Sequence, residues 1–167
     1  MVKSRKYIIA VDPDADKSGV AVLDTEKRDF VFVGSLSFVD TINKIRDYQD
    51  DTSMVVVEAG WLVSHNWHIS HSMNKEVCAK IGQQTGRNHE TGRKLIECIN
   101  GLLNYSPVYE HRPLVKKWSG KEGKITAKEL EYFTGYSKRS NQDQRDAMLL
   151  AWYCACLPIR VCTKKTS

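Results

Sequence analysis

The chain reads as an α/β domain: a mixed five-stranded sheet, a three-strand antiparallel meander plus parallel strands, flanked by helices on both faces. Three observations predict it. Apolar runs near the N-terminus, separated by short polar turns, spell three consecutive strands. A stretch of helical period then leads to Met54-Val55-Val56-Val57, a continuous apolar run suited to a strand buried on both faces. Further helical regions and one more short strand complete the chain, with no linker, internal repeat or low-complexity segment.

The first strand covers residues 7–11, Tyr7-Ile8-Ile9-Ala10-Val11, and runs straight into Asp12. A polar turn, Pro13 to Ser18, leads to a second strand over 19–24, and the charged link Thr25-Glu26-Lys27-Arg28-Asp29 leads to a third over 30–36. Val39, Ile42, Ile45 and Tyr48 mark one face of a helix over 38–50, capped by Ser37. Asp47, Asp50 and Asp51 sit at its C-terminal end, where the helix dipole disfavours acids. That helix makes a crossover to the strand at 54–57, which ends in Glu58.

Residues 61–72 are aromatic and irregular. A long helical region over 73–104 carries Val77, Ile81, Leu95, Ile99 and Leu102; its glycine-dotted middle, 82–92, marks a bend or a close-packing surface. A short last strand covers 106–110. Thr126-Ala127-Lys128-Glu129 has capping-box spacing and opens a helix to about residue 133, ended by Gly135. After a basic loop over 136–141, the last helix runs over 142–157 and Pro158 stops it. One domain over 1–167 is expected, with 1–5 and 159–167 loose.

The 167 residues suffice for one domain with a proper core, and 41% hydrophobic with 27% charged residues is ordinary for a globular chain. No apolar stretch is long enough to span a bilayer, and the basic start Met1-Val2-Lys3-Ser4-Arg5-Lys6 leads to no signal-type cleavage site, so a cytoplasmic location is expected. Five cysteines without CxxC pairs argue for reduced thiols rather than disulfides or a zinc site. Net charge is +5, and Lys116, Lys117, Lys121, Lys124 and Lys128 crowd one stretch, joined by Lys138, Arg139 and Arg145. Such a surface suits a polyanion; a plain solvated charged face is the alternative.

Four acids stand out against that basic background. Asp12 and Glu58 each terminate an apolar strand, where a charge is costly unless paired or holding a metal. Asp143 and Asp146 are three apart on the last helix, so they share a face, just before the apolar run Ala147-Met148-Leu149-Leu150-Ala151-Trp152. Neighbouring strands would bring the first two together, and the helix would bring the second two to them. Four hard oxygen donors select Mg2+ or Mn2+ over zinc, and such ions support phosphodiester cleavage.

Other motifs carry less. Asp12, Asp14 and Asp16 mimic the start of a calcium loop, but Lys17 replaces its glycine and Leu23 its glutamate. His65, His68 and His71 are evenly spaced in the aromatic stretch without a clear acidic or cysteine partner, so surface or DNA contacts fit them better than a metal. His111 beside Arg112 fits a phosphate contact or plain surface. Trp61 and Trp67 follow Glu58; an aromatic there either stacks on an unpaired base or packs beneath a loop, and stacking is favoured only for Trp61.

Taken together, these residues resemble the RuvC family of Holliday junction resolvases, within the RNase H-like (retroviral integrase) superfamily. The resemblance covers most of the chain: Asp12-Pro13, Glu58, Lys80-Ile81-Gly82-Gln83-Gln84-Thr85-Gly86, and Asp143-Gln144-Arg145-Asp146-Ala147. It implies a Mg-dependent endonuclease with Asp12, Glu58, Asp143 and Asp146 as catalytic metal ligands. It also implies a homodimer that makes paired symmetric nicks in a four-way junction, a two-fold protein on a two-fold substrate. Trp61 holds the place of a family aromatic that stacks at the junction centre, and Lys116 or Lys117 and Lys128 hold those of phosphate-binding lysines. The chain departs from the family at Asp14, where glycine is usual, and in its aromatic, histidine-rich 61–72 stretch. Relatives often work beside a branch-migration motor, and nothing in the sequence identifies one here.

Two other classes compete. A sugar-kinase or actin-like ATPase also starts with a strand ending in Asp, but needs a second domain and glycine-rich phosphate loops that are missing here. A catalytically silent nucleic-acid-binding module on the same fold would not need all four acids. Within the nuclease class, other branched DNA and RNA–DNA hybrids remain alternative substrates.

Overall fold

The structure, a computed structural model, describes residues 5–63, 72–103, 107–114 and 118–161. Strands β1 (Tyr7–Asp12), β2 (Ser18–Asp24) and β3 (Asp29–Leu36) form an antiparallel meander. Helix α1 (Phe38–Tyr48) crosses over to β4 (Ser53–Glu58), which pairs parallel to β1. Helix α2 (Lys75–Leu102) leads to β5 (Val108–His111), parallel to β4. Helices α3 (Ala127–Thr134) and α4 (Gln142–Cys154) follow. The sheet order is β3-β2-β1-β4-β5, the mixed five-stranded arrangement of the RNase H-like fold.

Alternation along the strands makes two cores. Ile9, Val11, Val20, Val22, Val55 and Val57 face one side and pack on Ile42 and Ile45 of α1 and Leu95 and Ile99 of α2. Ile8, Ala10, Leu23 and Val56 face the other and pack on Leu150, Ala151 and Trp152 of α4; Ala21 joins Ala147, Met148 and Leu149 there, with Leu130 of α3. Because α4 lies between the sheet and α3, residues 146–152 are buried all round. That explains a helix apolar over the six successive positions 147–152 rather than along a stripe.

Element boundaries moved for local reasons. α1 stops at Tyr48, before Asp50 and Asp51, which its dipole disfavours; Asp47 stays in the last turn, paired with Lys44 at 3.1 Å. Asp50 instead closes a turn, its Oδ1 accepting from the backbone N and the hydroxyl of Thr52, both at 2.7 Å. α2 starts at Lys75 because Asn74 caps it, its side chain accepting from Val77 N at 2.9 Å. It runs unbroken through 82–92: open space surrounds Gly82 and Gly86, and close packing falls on Gly92 alone. α3 carries the expected capping box at Thr126 and ends at Gly135 in the left-handed region, φ 75°. α4 ends at Cys154, three residues early, and Cys156 turns the chain with φ 54°. Ile159, expected in a loose tail, packs half-buried on the α4 core. Trp67, His65, His68, His71, Lys116, Lys117 and Cys162 lie outside the described residues. No described helix is long and apolar enough to cross a membrane.

Candidate active site

Strand alternation sends two acids to the same place. Asp12 follows Ile8 and Ala10, and Glu58 follows Val56, on the face that α4 covers. The parallel ladder pairs Val11 with Val57, so Asp12 and Glu58 are the next residues on adjacent strands. From the other side, α4 brings Asp143 in its first turn and Asp146 one turn later. A capping box between Asn141 and Gln144 sets where that helix begins. The same two side chains donate to Ser35 Oγ, at 2.9 and 3.0 Å, and fasten the helix start to the end of β3.

Gly19 makes the approach possible. It pairs with Asp12 across the β1–β2 ladder, directly beneath the first turn of α4. A Cβ at Gly19 would lie 2.2 Å from the Asp143 carbonyl oxygen and 2.8 Å from Gln144 N. Only a residue without a side chain lets the helix rest this close to the strand.

The acids repel one another. Burial holds the Asp12 carboxyl well above the usual carboxylate range, and the charges of Glu58, Asp146 and Asp143 add to it. Glu58 is pushed up to about 8, first by burial and then by Asp146 and Asp143. Burial also raises Asp143, helped by Asp14 and Asp146. Lys124 opposes all three shifts. Its own ammonium is held protonated: burial would lower it, but the charges of Asp146, Asp12 and Glu58 and the hydrogen bond to Asp146 outweigh that.

Lys124 Nζ lies 2.9 Å from Asp146 Oδ2, while Gln142 Nε2 donates to Asp146 Oδ1 at 2.7 Å. Among the described residues, Asp12 and Glu58 accept no side-chain hydrogen bond. Nor are three acid, histidine or cysteine side chains gathered closely enough there to enclose an ion as they stand. The donor set nonetheless fits a hard divalent cation: it is all carboxylate oxygen, and three of its members, Asp12, Glu58 and Asp143, have no competing donor among the described residues.

Around the acids, further groups hold the geometry. Asp14, in the β1–β2 turn, accepts from Asp16 N at 2.8 Å and from Asn88 Nδ2 of α2 at 3.0 Å, and Asn88 Oδ1 accepts from Ala15 N at 3.0 Å. The turn that leaves Asp12 is thereby bolted to α2, which a glycine at 14 could not do. Trp61 is clamped as well. Its ring fills the space above Gly92, where a Cβ would come within 2.6 Å of it, and its Nε1 donates to Glu110 Oε2 at 2.9 Å. Arg93 stacks over the ring and His89 meets it edge-on.

Arg145 is turned inward: Nε donates to Ile125 O, Nη1 to Ser140 O and Nη2 to Gln142 Oε1, at 3.2, 2.6 and 2.9 Å. Lys128, Lys138 and Arg139 are exposed, with no ion-pair partner among the described residues. His111 bonds its neighbour's carbonyl and packs on Tyr153. Sequence reasoning missed Gly19, Gln142 and the special place of Lys124. Only Lys124 left a trace, as one lysine of a basic cluster.

No family model matches the chain, and no curated protein matches it. Its fold is similar to solved RuvC structures. One is Thermus thermophilus RuvC in complex with a Holliday junction substrate: 14% identical, TM-score 0.46, covering 87% of this chain and 90% of that one. Another is Thermus thermophilus RuvC, 15% identical, TM-score 0.41, with the same coverage.

Proposed function

We propose that the protein is a metal-dependent, structure-selective DNA endonuclease that resolves four-way junctions by paired nicks, working as a homodimer. The observation that carries this reading is the meeting of Asp12, Glu58, Asp143 and Asp146 from three separate elements, close enough that the charges of Asp146 and Asp143 raise both Asp12 and Glu58. Isolated structural acids have no reason to be gathered against such repulsion. Asp12, Glu58 and Asp143 would hold Mg2+ or Mn2+, which supplies charge neutralisation at the scissile phosphate and activation of water. Within the chain, α4 and β1 set the spacing of the carboxylates, and Gly19 sets the depth at which the helix sits. Gln142 and Arg145 fix the segment after Lys124 to the helix start, so Arg145 serves as a positioning residue rather than a DNA contact.

The exposed Lys128, Lys138 and Arg139 are assigned to phosphate contacts, with Lys116 and Lys117 added on sequence alone. Trp61 serves as a wedge between β4 and α2; stacking on a base would require it to leave Glu110 and the Gly92 gap.

Purified protein incubated with a labelled four-way junction, a linear duplex and an RNA–DNA hybrid, with Mg2+ or with chelator, tests the reading. Symmetric nicks in the junction alone, only with Mg2+ and absent from Asp12→Asn, are expected. Tight junction binding without nicks would overturn it in favour of a silent binding module.

A further inference from the structure

Lys124 stands inside the acid cluster, and neither the resemblance nor the proposed function assigns it a role. Its Nζ lies 2.9 Å from Asp146 Oδ2, and its side chain is 29% exposed against 93% for the nearby Lys121. The segment that carries it is built for the purpose. Gly120 N donates to Lys124 O at 3.0 Å, Gly123 N to Gly120 O at 3.1 Å, and Lys124 N to Lys121 O at 3.1 Å. A Cβ at Gly120 would lie 2.3 Å from the Lys124 carbonyl oxygen, so this loop closes only with glycine there. Glu122 and Gly123 both take left-handed φ, 57° and 72°. Immediately after the lysine, Ile125 is buried and its carbonyl is held by Gln142 and Arg145 of α4, at 3.3 and 3.2 Å.

Both oxygens of Asp146 are consequently occupied, Oδ1 by Gln142 and Oδ2 by Lys124. A carboxylate so engaged is a poorer ligand for a divalent ion, because the Lys124 ammonium beside it already balances its charge and repels a second cation. Asp12 and Glu58 carry no such bonds among the described residues.

We propose that Lys124 is a resident cation of the acid cluster: it neutralises Asp146 and limits the site to one tightly held divalent ion on the Asp12–Glu58 side. This rests on reading the cluster as a metal site. The test counts Mn2+ ions per chain, by calorimetric titration and by the electron paramagnetic resonance signal of free Mn2+, on full-length wild type, Lys124→Met and Lys124→Gln. Glutamine keeps a hydrogen-bond donor toward Asp146 and covers the case in which the methionine variant does not fold.

One tight ion is expected for wild type and two for each uncharged variant, with a lower melting temperature in chelator for both variants. One ion in all three proteins would overturn the role of Lys124 while leaving the metal reading intact. Two ions already in wild type would also overturn it. No ion in any protein would overturn both.

Discussion

The two faces of the sheet are made by the same strands and follow opposite rules. On the α1–α2 face, apolar side chains continue to the last residue of β1 and β4 that points that way, Val11 and Val57, both fully buried. On the α4 face the same strands start with Ile8, Ala10 and Val56 but finish in Asp12 and Glu58. One face is optimised for burial along its whole length. The other gives up apolar packing at one end, gathering like charges with Lys124 in reach. Buried, mutually repelling carboxylates work against stability, and a local violation of this kind in an otherwise consistent core is what a functional site is expected to show.

Substituting two positions of the same strand separates the two faces most strongly. Asp12→Asn should abolish cleavage, by roughly 10^3-fold or more, on the scale of losing a group that acts mainly in the transition state. In chelator the same variant should melt no lower than wild type, because it removes a repelling charge. Ile9→Ala, three residues earlier and on the opposite face, should cost about 2–5 kcal/mol of stability and leave the cleavage rate of the folded protein unchanged. Melting curves and single-turnover nicking on both variants check the contrast, and equal loss of activity in the two would break it.

Gly19→Ala sharpens it next. The added methyl group meets the Asp143 carbonyl at 2.2 Å and pushes α4 off the strand. A stability loss of about 1–3 kcal/mol is expected, together with loss of cleavage. Gly82→Ala, in open space on α2, serves as the control. It should raise helix stability slightly, by up to about 1 kcal/mol.

Acidity provides a third test. Glu58 titrates at about 8 when folded, against 4.5 as its ordinary value, so between those pH values the folded chain binds more protons than the unfolded one. Its contribution is fully present below about 4.5 and is lost as pH rises to about 8; raised Asp12 acts in the same direction. Metal-free wild type should therefore lose stability across this window, and Glu58→Gln should flatten the loss. Denaturant titrations at several pH values in chelator measure it. A stability that rises with pH in wild type but not in the variant would contradict the electrostatics described.

The smallest effect is expected from Lys128→Ala, which should weaken junction binding uniformly and lower the slope of log affinity against log salt by about 1.

Much of this contrast was legible in the sequence because it follows short-range rules. Period-two strands, a crossover helix, the capping box at Thr126 and the strand-ending acids all yield to local reading, and the mixed sheet follows from their order. What was not legible depends on approach distances between remote segments. Nothing near Gly19 in the chain says that the Asp143 carbonyl will rest on it. The clamp on Trp61 needs Gly92, Arg93 and Glu110, which arrive from α2 and β5. Arg145 reads as one more basic residue until the carbonyl of Ile125 is seen beneath it. Asp14 reads only as an extra charge in the β1–β2 turn until Asn88 is placed opposite.

The most direct measurement is a crystal of the protein grown with Mn2+, with data collected to exploit manganese anomalous scattering. The account predicts a peak bounded by carboxylate oxygens of Asp12 and Glu58, beside the start of α4. A manganese-saturated crystal with no peak there, and its ions bound elsewhere on the surface, would contradict it.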